Sequence, residues 1–389
     1  MRVLYDDHGF MQRHGGVSRY FTELMKHLPD GVEYCLPFEA SNNAYLQQSP
    51  FNMPPLCRSV DDFVEKWGRG HFFPLLSRLY WKCAKWLPGF KNGEYENRIR
   101  VVAALRKGDF DVFHMTGPHW VCDDWQIVAG KKPIVVTVHD LVPDILWRNR
   151  RVIACRRRVL AVASHIIAIS ENTKKDIVRL YGVPEEKITV IYHGYTQFES
   201  AGTGGELPVS KPYLLYVGER DGYKNFSWLV RTLAPFLKAR DGLQLFCTGS
   251  PFSQGERRLL DRLGIADHVR QGFVQDGQMP VLFANAAAFI CPSLYEGFGL
   301  PILDAFASGC PALLSNVASL PEVGGDAALY FDPKGDGADL VRHLELMLDE
   351  SDGARAGRSV LVEKAKLRVK GFGWDACAKK TVDVYRRVS

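Results

Sequence analysis

Two doubly wound α/β domains are the architecture these 389 residues predict, on three observations. A strand, a glycine turn, a helix and a second strand follow one another from Ala286 to Ser315, the order of a βαβ unit. Short apolar runs alternating with helical periodicity recur on both sides of one small-polar stretch, ESAGTGGELPVSKP. The length also suffices for two cores of ordinary size. The expected boundaries are 1–198 for a first domain, 199–212 for a linker, and 213–373 for a second domain.

In chain order, Arg2–Tyr5 reads as a short strand. The opening MRVLYDDHGF carries acids where a secretion signal carries lysines, followed by no apolar core. Gly15 and Gly16 mark a tight turn into a helix over Tyr20–Leu28, with Ser18 as its expected cap. Between residues 64 and 107, large aromatics (Phe72, Phe73, Tyr80, Trp81, Trp86) interleave with cations. From Lys66 to Lys107 there are ten Lys or Arg against Glu94 and Glu96. That mixture suits contact with anionic lipid, or equally a buried hairpin whose lysines reach water. No nucleic-acid motif accompanies it. Asp109-Phe110-Asp111 has the look of a D-x-D metal motif, but the buried strand Val112–His114 follows directly, so the acids are expected to be structural.

Pro133–Val138 is a further strand, ending in His139-Asp140, and strand ends are where open α/β sheets present ligands. Arg148–Arg158 starts a basic helix. His165 opens a strand that leads into a capped helix ending near Leu180, and Val190–Gly194 closes the first half. The linker has no strand before its glycines and no Walker spacing, so it is no phosphate loop.

Tyr213–Val217 restarts the pattern. The turn after it, Gly218-Glu219-Arg220-Asp221-Gly222-Tyr223-Lys224-Asn225, places two cations four apart beside glycine, a plausible diphosphate clamp. Gln244–Gly249 and Val269–Val274 are the next strands. Ala286–Cys291 then leads into Pro292-Ser293-Leu294-Tyr295-Glu296-Gly297-Phe298-Gly299. Pro301 suits a first helical turn, Ile302–Ser308 continues the helix, and Gly309 and Pro311 end it before a strand from Ala312. The helix N-terminus at Gly299 and Leu300 offers free N–H groups and a positive dipole end, fit for an anion such as a diphosphate. Glu296 and Asp304, eight apart, are placed to hold hydroxyls on either side of it. On spacing alone, such a pair is more often solvated surface. Helices occupy the chain from Asp336 on.

Hydrophobic residues at 46% and charged ones at 24% are ordinary for a globular protein. No run reaches the roughly 18 apolar residues of a membrane span. The nine cysteines form no C-x-x-C pair, which fits neither a zinc site nor a disulfide framework and suits a reducing compartment. A cytoplasmic protein, at most peripheral on the membrane face, is the expectation. The net charge of +5 decides little.

The stretch EGFGLPILDAFASGCPAL…SLPEVGGDAALYFDP resembles the signature of the retaining GT-B glycosyltransferases of family 4. The phrases VTVHDLVPDI and YVGERDGYKNF, and Gly15-Gly16-Val17-Ser18-Arg19, extend the resemblance along nearly the whole chain. It implies two Rossmann-like domains facing across a cleft, with residues 374–389 packing back on the first. It implies retaining transfer of a hexose from a nucleotide-diphosphate sugar to a saccharide acceptor, with no metal or other cofactor. In that scheme Gly15 and Gly16 face the donor phosphates, and His139 contacts the donor sugar. Gly218, Arg220 and Lys224, with the N–H groups of Phe298, Gly299 and Leu300, hold the diphosphate, while Phe273 lies near the base. Glu296 holds sugar hydroxyls and Asp304 the ribose. The family has Glu where this chain has the shorter Asp304. The YKNF loop resembles that of mannosyl-type members, which points to GDP-mannose, and the aromatic-basic stretch points to a lipid-linked acceptor in surface polysaccharide or lipopolysaccharide synthesis. Open alternatives are a non-catalytic nucleotide-sugar binder, a phosphorylase or an epimerase.

Overall fold

The computed structural model describes residues 1–56, 93–117, 124–195, 207–210, 212–220 and 222–389. The aromatic-basic residues 64–92 and most of the expected linker lie outside the described residues.

Six strands make a first sheet: β1 (Arg2–Tyr5), β2 (Glu33–Cys35), β3 (Val112–Met115), β4 (Ile134–Val138), β5 (His165–Ala168) and β6 (Ile188–Val190). Their order is β2-β1-β3-β4-β5-β6, and β1 pairs parallel with both β2 and β3. A second sheet holds β7 (Tyr213–Tyr216), β8 (Gln244–Thr248), β9 (Val269–Gly272), β10 (Ala288–Cys291), β11 (Ala312–Ser315) and β12 (Leu329–Phe331). It runs β12-β11-β10-β7-β8-β9, parallel throughout. The central strands read as continuous apolar runs because helices cover both faces; all five residues of β4 are buried.

Strand order decides where ligands go. The chain winds from β7 out to β9, then returns to place β10 on the other side of β7. The loops after β7 and β10 therefore leave the sheet in opposite directions and open a crevice at its carboxyl edge.

By contacts the chain divides into two compact units. One comprises Met1–Thr137, Ala154–Ile167 and Ala378–Ser389, the other Val138–Ile153 and Ala168–Cys377. In the first, the end of helix Trp374–Val388 is tied to the sheet by a buried polar chain. Tyr385 Oη meets Tyr5 Oη at 2.9 Å and His114 Nδ1 at 2.6 Å, and His114 Nε2 meets Thr137 Oγ1 at 2.8 Å. Burial pushes the His114 pKa down to about 3, so the imidazole is neutral.

Asp109 and Asp111 are structural: Arg2 donates from its backbone N–H to Asp111 (2.7 Å) and from its guanidinium to Asp109 (2.6 Å), which fixes the start of β1. Ser18 is not a cap. The N-cap of helix Gly16–Lys26 is Gly15, and Ser18, already inside the helix, turns its hydroxyl back to donate to Gly15 O at 3.0 Å. Ser170 does cap its helix, Glu171–Tyr181, by accepting from Thr173 N–H. Among the described residues, no helix is long and apolar enough to cross a membrane.

Candidate functional site

The crevice predicted by strand order is present. A cavity at the carboxyl ends of β7 and β10 is lined by Tyr216, Val217, Lys224, Cys291, Pro292, Ser293, Glu296, Gly299 and Pro301, among others. Lys224 comes from the loop after β7 and Glu296 from the loop after β10. They meet in an ion pair of 2.7 Å, with side chains only 22% and 13% exposed. Ser293 Oγ donates to the same carboxylate oxygen at 2.6 Å, and Ser319 Oγ donates to the Glu296 carbonyl at 2.8 Å. Leu294 N–H donates to Tyr223 O at 2.8 Å, which joins the two loops through their backbones.

Burial alone would depress the Lys224 pKa. The nearby Glu296 and Tyr223 outweigh it, and the amine is held above its ordinary range. Burial, with Glu296 adding to it, pushes the Cys291 thiol up to about 11, so this cavity-lining sulfur is protonated at neutral pH and is a poor nucleophile.

Gly299 is the N-cap of helix Leu300–Ala307, in the left-handed region at φ 94°, and Pro301 occupies the first turn as expected. Pro301 has no N–H and Ile302 N–H donates to Gly299 O at 2.9 Å, so Leu300 carries the first N–H of this helix end, which lines the same cavity as Lys224 and Glu296. Asp304 is half-buried within the helix. Phe298 is buried, its ring stacked on His193 at 4.7 Å and 18°, which leaves its backbone rather than its side chain for a ligand.

His139 reaches the site through its main chain. A Cβ on Gly297 would collide with His139 O and lie 2.9 Å from the His139 carbonyl carbon. Glycine is required here for close approach rather than for an unusual backbone angle. The His139 ring packs edge-on to His193 at 5.6 Å. Gly218, at φ 121°, turns the chain after β7 and donates to Thr248 Oγ1 at 3.3 Å.

Arg220 is placed differently from the expected clamp. Its Nε donates to Glu256 at 2.7 Å, its other nitrogens reach the carbonyls of Thr248 (3.4 Å) and Ser250, and its side chain is only 4% exposed. The guanidinium also packs 4.8 Å from the Phe252 ring centroid. Lys224, not Arg220, lines the cavity. Phe273, one residue beyond β9, is 73% exposed. Gly15 and Gly16 belong to the other unit, at the start of helix Gly16–Lys26. Glu322 is structural: its carboxylate accepts from Glu171 N–H (2.6 Å) and Asn172 N–H (3.2 Å) at the N-terminus of helix Glu171–Tyr181.

Sequence reasoning passed over Ser293, Ser319, Tyr223 and His193. Ser293 in a turn and Ser319 just before helix Leu320–Gly324 carry no distinguishing signal. His193-Gly194 after a strand had the same form as His139-Asp140, which was singled out.

Comparison with known proteins bears on this geometry. A family model for glycosyl transferases group 1 matches residues 203–368, and one for Glycosyltransferase Family 4 matches 14–196. A D-inositol 3-phosphate glycosyltransferase of Streptomyces avermitilis is 30% identical over 320 residues, 74% of this chain and 67% of that protein. The chain belongs to this family of glycosyltransferases. The O-antigen chain mannosyltransferase B of Escherichia coli is 31% identical over 237 residues; the match spans 58% of this chain and 61% of that protein. Among solved structures, the sucrose-phosphate synthase of Thermosynechococcus elongatus superposes with a TM-score of 0.68 at 20% identity, covering 99% of this chain and 98% of that one. It shows that the glycosyltransferase has the GT-B fold expected of it.

Proposed function

We propose that this glycosyltransferase moves a hexose, with retention, from a nucleotide-diphosphate sugar to a saccharide acceptor. One observation supports this above the others: loops from both sides of the β7/β10 switch point bring a cation and a carboxylate into one cavity beside an open helix N-terminus. In the proposed complex, Lys224 and the N–H groups of Phe298, Gly299 and Leu300 stabilise charge growing on the leaving diphosphate. Arg220 adds positive field from the same loop. Glu296 turns its carboxylate to the sugar hydroxyls, which compete with Lys224 and Ser293 for its lone pairs. Asp304 takes the ribose and His139 the donor sugar, while Phe273 flanks the base and Gly15 and Gly16 face the phosphates.

Charge neutralisation by Lys224 and the helix end means that the proposed mechanism calls for no metal. The leaving phosphate takes the acceptor proton as the new bond forms on the same face. The mannosyl donor, GDP-mannose, is favoured by the name of the Escherichia coli relative and by the YKNF loop. A lipid-linked acceptor in surface polysaccharide or lipopolysaccharide synthesis is proposed from the name of that relative and from the aromatic-basic stretch. Free thiols at Cys35, Cys247, Cys291 and Cys310 favour a reducing, cytoplasmic setting, with residues 64–107 as the proposed contact to anionic lipid.

The test is a panel of GDP-, UDP- and ADP-sugars with a mannoside acceptor, with product anomers assigned by NMR. Glu296→Ala should abolish transfer while the circular dichroism spectrum stays unchanged. Full activity in that variant removes Glu296 from the mechanism, and an inverted product removes retention.

A further inference from the structure

The segment from His139 to Arg151 touches the site at both ends and then leaves it with an exposed aromatic. At one end His139 O fills the space that a Gly297 side chain would need. At the other, the Trp147 ring packs edge-on to Tyr223, centroids 6.2 Å apart. Tyr223 in turn packs 5.1 Å from Lys224 Nζ, the partner of Glu296. Trp147 is nevertheless 57% exposed.

The loop carrying it is held by its own backbone. Leu146 and Trp147 N–H donate to Val142 O at 3.0 and 3.3 Å, Asn149 N–H donates to Pro143 O at 2.9 Å, and Arg148 takes the left-handed conformation at φ 47°. Asn149 Oδ1 then accepts from Arg151 N–H at 3.1 Å to begin helix Arg150–Val162. Every residue from Leu146 to Arg151 is exposed, and the run holds three arginines and no acid. A fixed loop that keeps an indole in water at the edge of a polar site, beside clustered guanidinium groups, has the composition of a ligand surface.

We propose that Trp147 is the acceptor platform: a pyranose ring of the acceptor stacks its C–H face on the indole, and Arg148, Arg150 and Arg151 take an anionic group of the same molecule, such as a phosphate. Aromatic faces carry negative potential and sugar C–H bonds a positive edge, so the contact is directional as well as apolar. The guanidinium groups match phosphate oxygens with paired donors. This deepens the transferase reading and rests on it, since it gives that reaction its second substrate.

Saturation-transfer NMR on the full chain with octyl α-D-mannopyranoside, below its micellar concentration, tests the platform without depending on turnover. The ring protons should receive saturation from wild type, and Trp147→Ala should weaken affinity at least tenfold. Trp147→Phe should retain most of it, and affinity for GDP or UDP should be unchanged in both variants. Sugar affinity in Trp147→Ala equal to wild type overturns the platform, as does absence of sugar binding by wild type. Trp147→Ala that loses binding to phosphatidylglycerol vesicles but not to the sugar also overturns it, and makes the patch a membrane contact. Sugar binding that depends on Trp147 in a protein that transfers no hexose would instead defeat the transferase reading and leave the platform standing.

Discussion

Gly297→Ala is the sharpest perturbation this site offers. The new methyl would meet His139 O inside van der Waals contact, the His139 carbonyl carbon at 2.9 Å and Asp140 Cβ at 3.2 Å. An ordinary contact is 3.4 Å or more, so the carbonyl carbon alone demands a shift of 0.5 Å (3.4 − 2.9), and the oxygen demands more. Backbone stands on both sides, and no flexible side chain can absorb the shift. Overpacking of this kind costs about 1–3 kcal/mol of stability. Glu296 precedes the glycine and Phe298 follows it, so the carboxylate and the helix N–H groups move together. Displacement approaching 1 Å at reacting groups costs on the order of 100-fold in rate. Urea denaturation and initial transfer rates measure the two effects. Gly357→Ala is the control: it lies inside helix Asp352–Val369 with nothing within 4 Å, and should gain about 0.5–1 kcal/mol. Wild-type stability and rate in Gly297→Ala would refute the close approach and the coupling drawn from it.

Lys224→Met keeps the chain volume and removes the charge. It should weaken nucleotide-sugar binding, measured by calorimetry, by ~3 kcal/mol as a charged partner of the diphosphate is lost, whereas unchanged binding would leave Lys224 a structural ion pair. Glu322→Ala strips the acceptor from two helix N–H groups and should cost about 1–2 kcal/mol in thermal or urea unfolding, with the donor KM unchanged. His114 gives the first unit an acid weakness. Its folded pKa, about 3, lies below the unfolded value of roughly 6.5. Its contribution is therefore complete above pH ~6.5 and is lost as pH falls towards 3, at about 1.4 kcal/mol per unit. Unfolding free energies at pH 7 and pH 5 should differ by roughly 2 kcal/mol more in wild type than in His114→Gln.

Much of this was legible because local chemistry and tertiary position coincide. The apolar runs had to be sheet strands, and Gly299 with Pro301 had to start a helix. The Ala286–Ser315 segment contains the whole device, so its spacing could be read directly. Arg220 shows the limit. Arg220 and Lys224 are both cations after β7, yet one faces the cavity and the other is drawn to Glu256, a residue 36 positions away whose neighbourhood depends on how β8 ends. Ser18 failed as a cap because its hydroxyl had a carbonyl one turn back within reach. The Gly297–His139 contact was invisible for the same reason as the Trp147–Tyr223 contact: no short-range pattern encodes which loops meet at a sheet's carboxyl edge.

Hydrogen–deuterium exchange with and without GDP-mannose, UDP-glucose and ADP-glucose addresses the diphosphate site directly. Protection by at least one donor is expected in the backbone from Ser293 to Leu303 and around Tyr223–Asn225, and should be abolished by Lys224→Met. Donor-induced protection located elsewhere, with these two segments unchanged, would contradict the site.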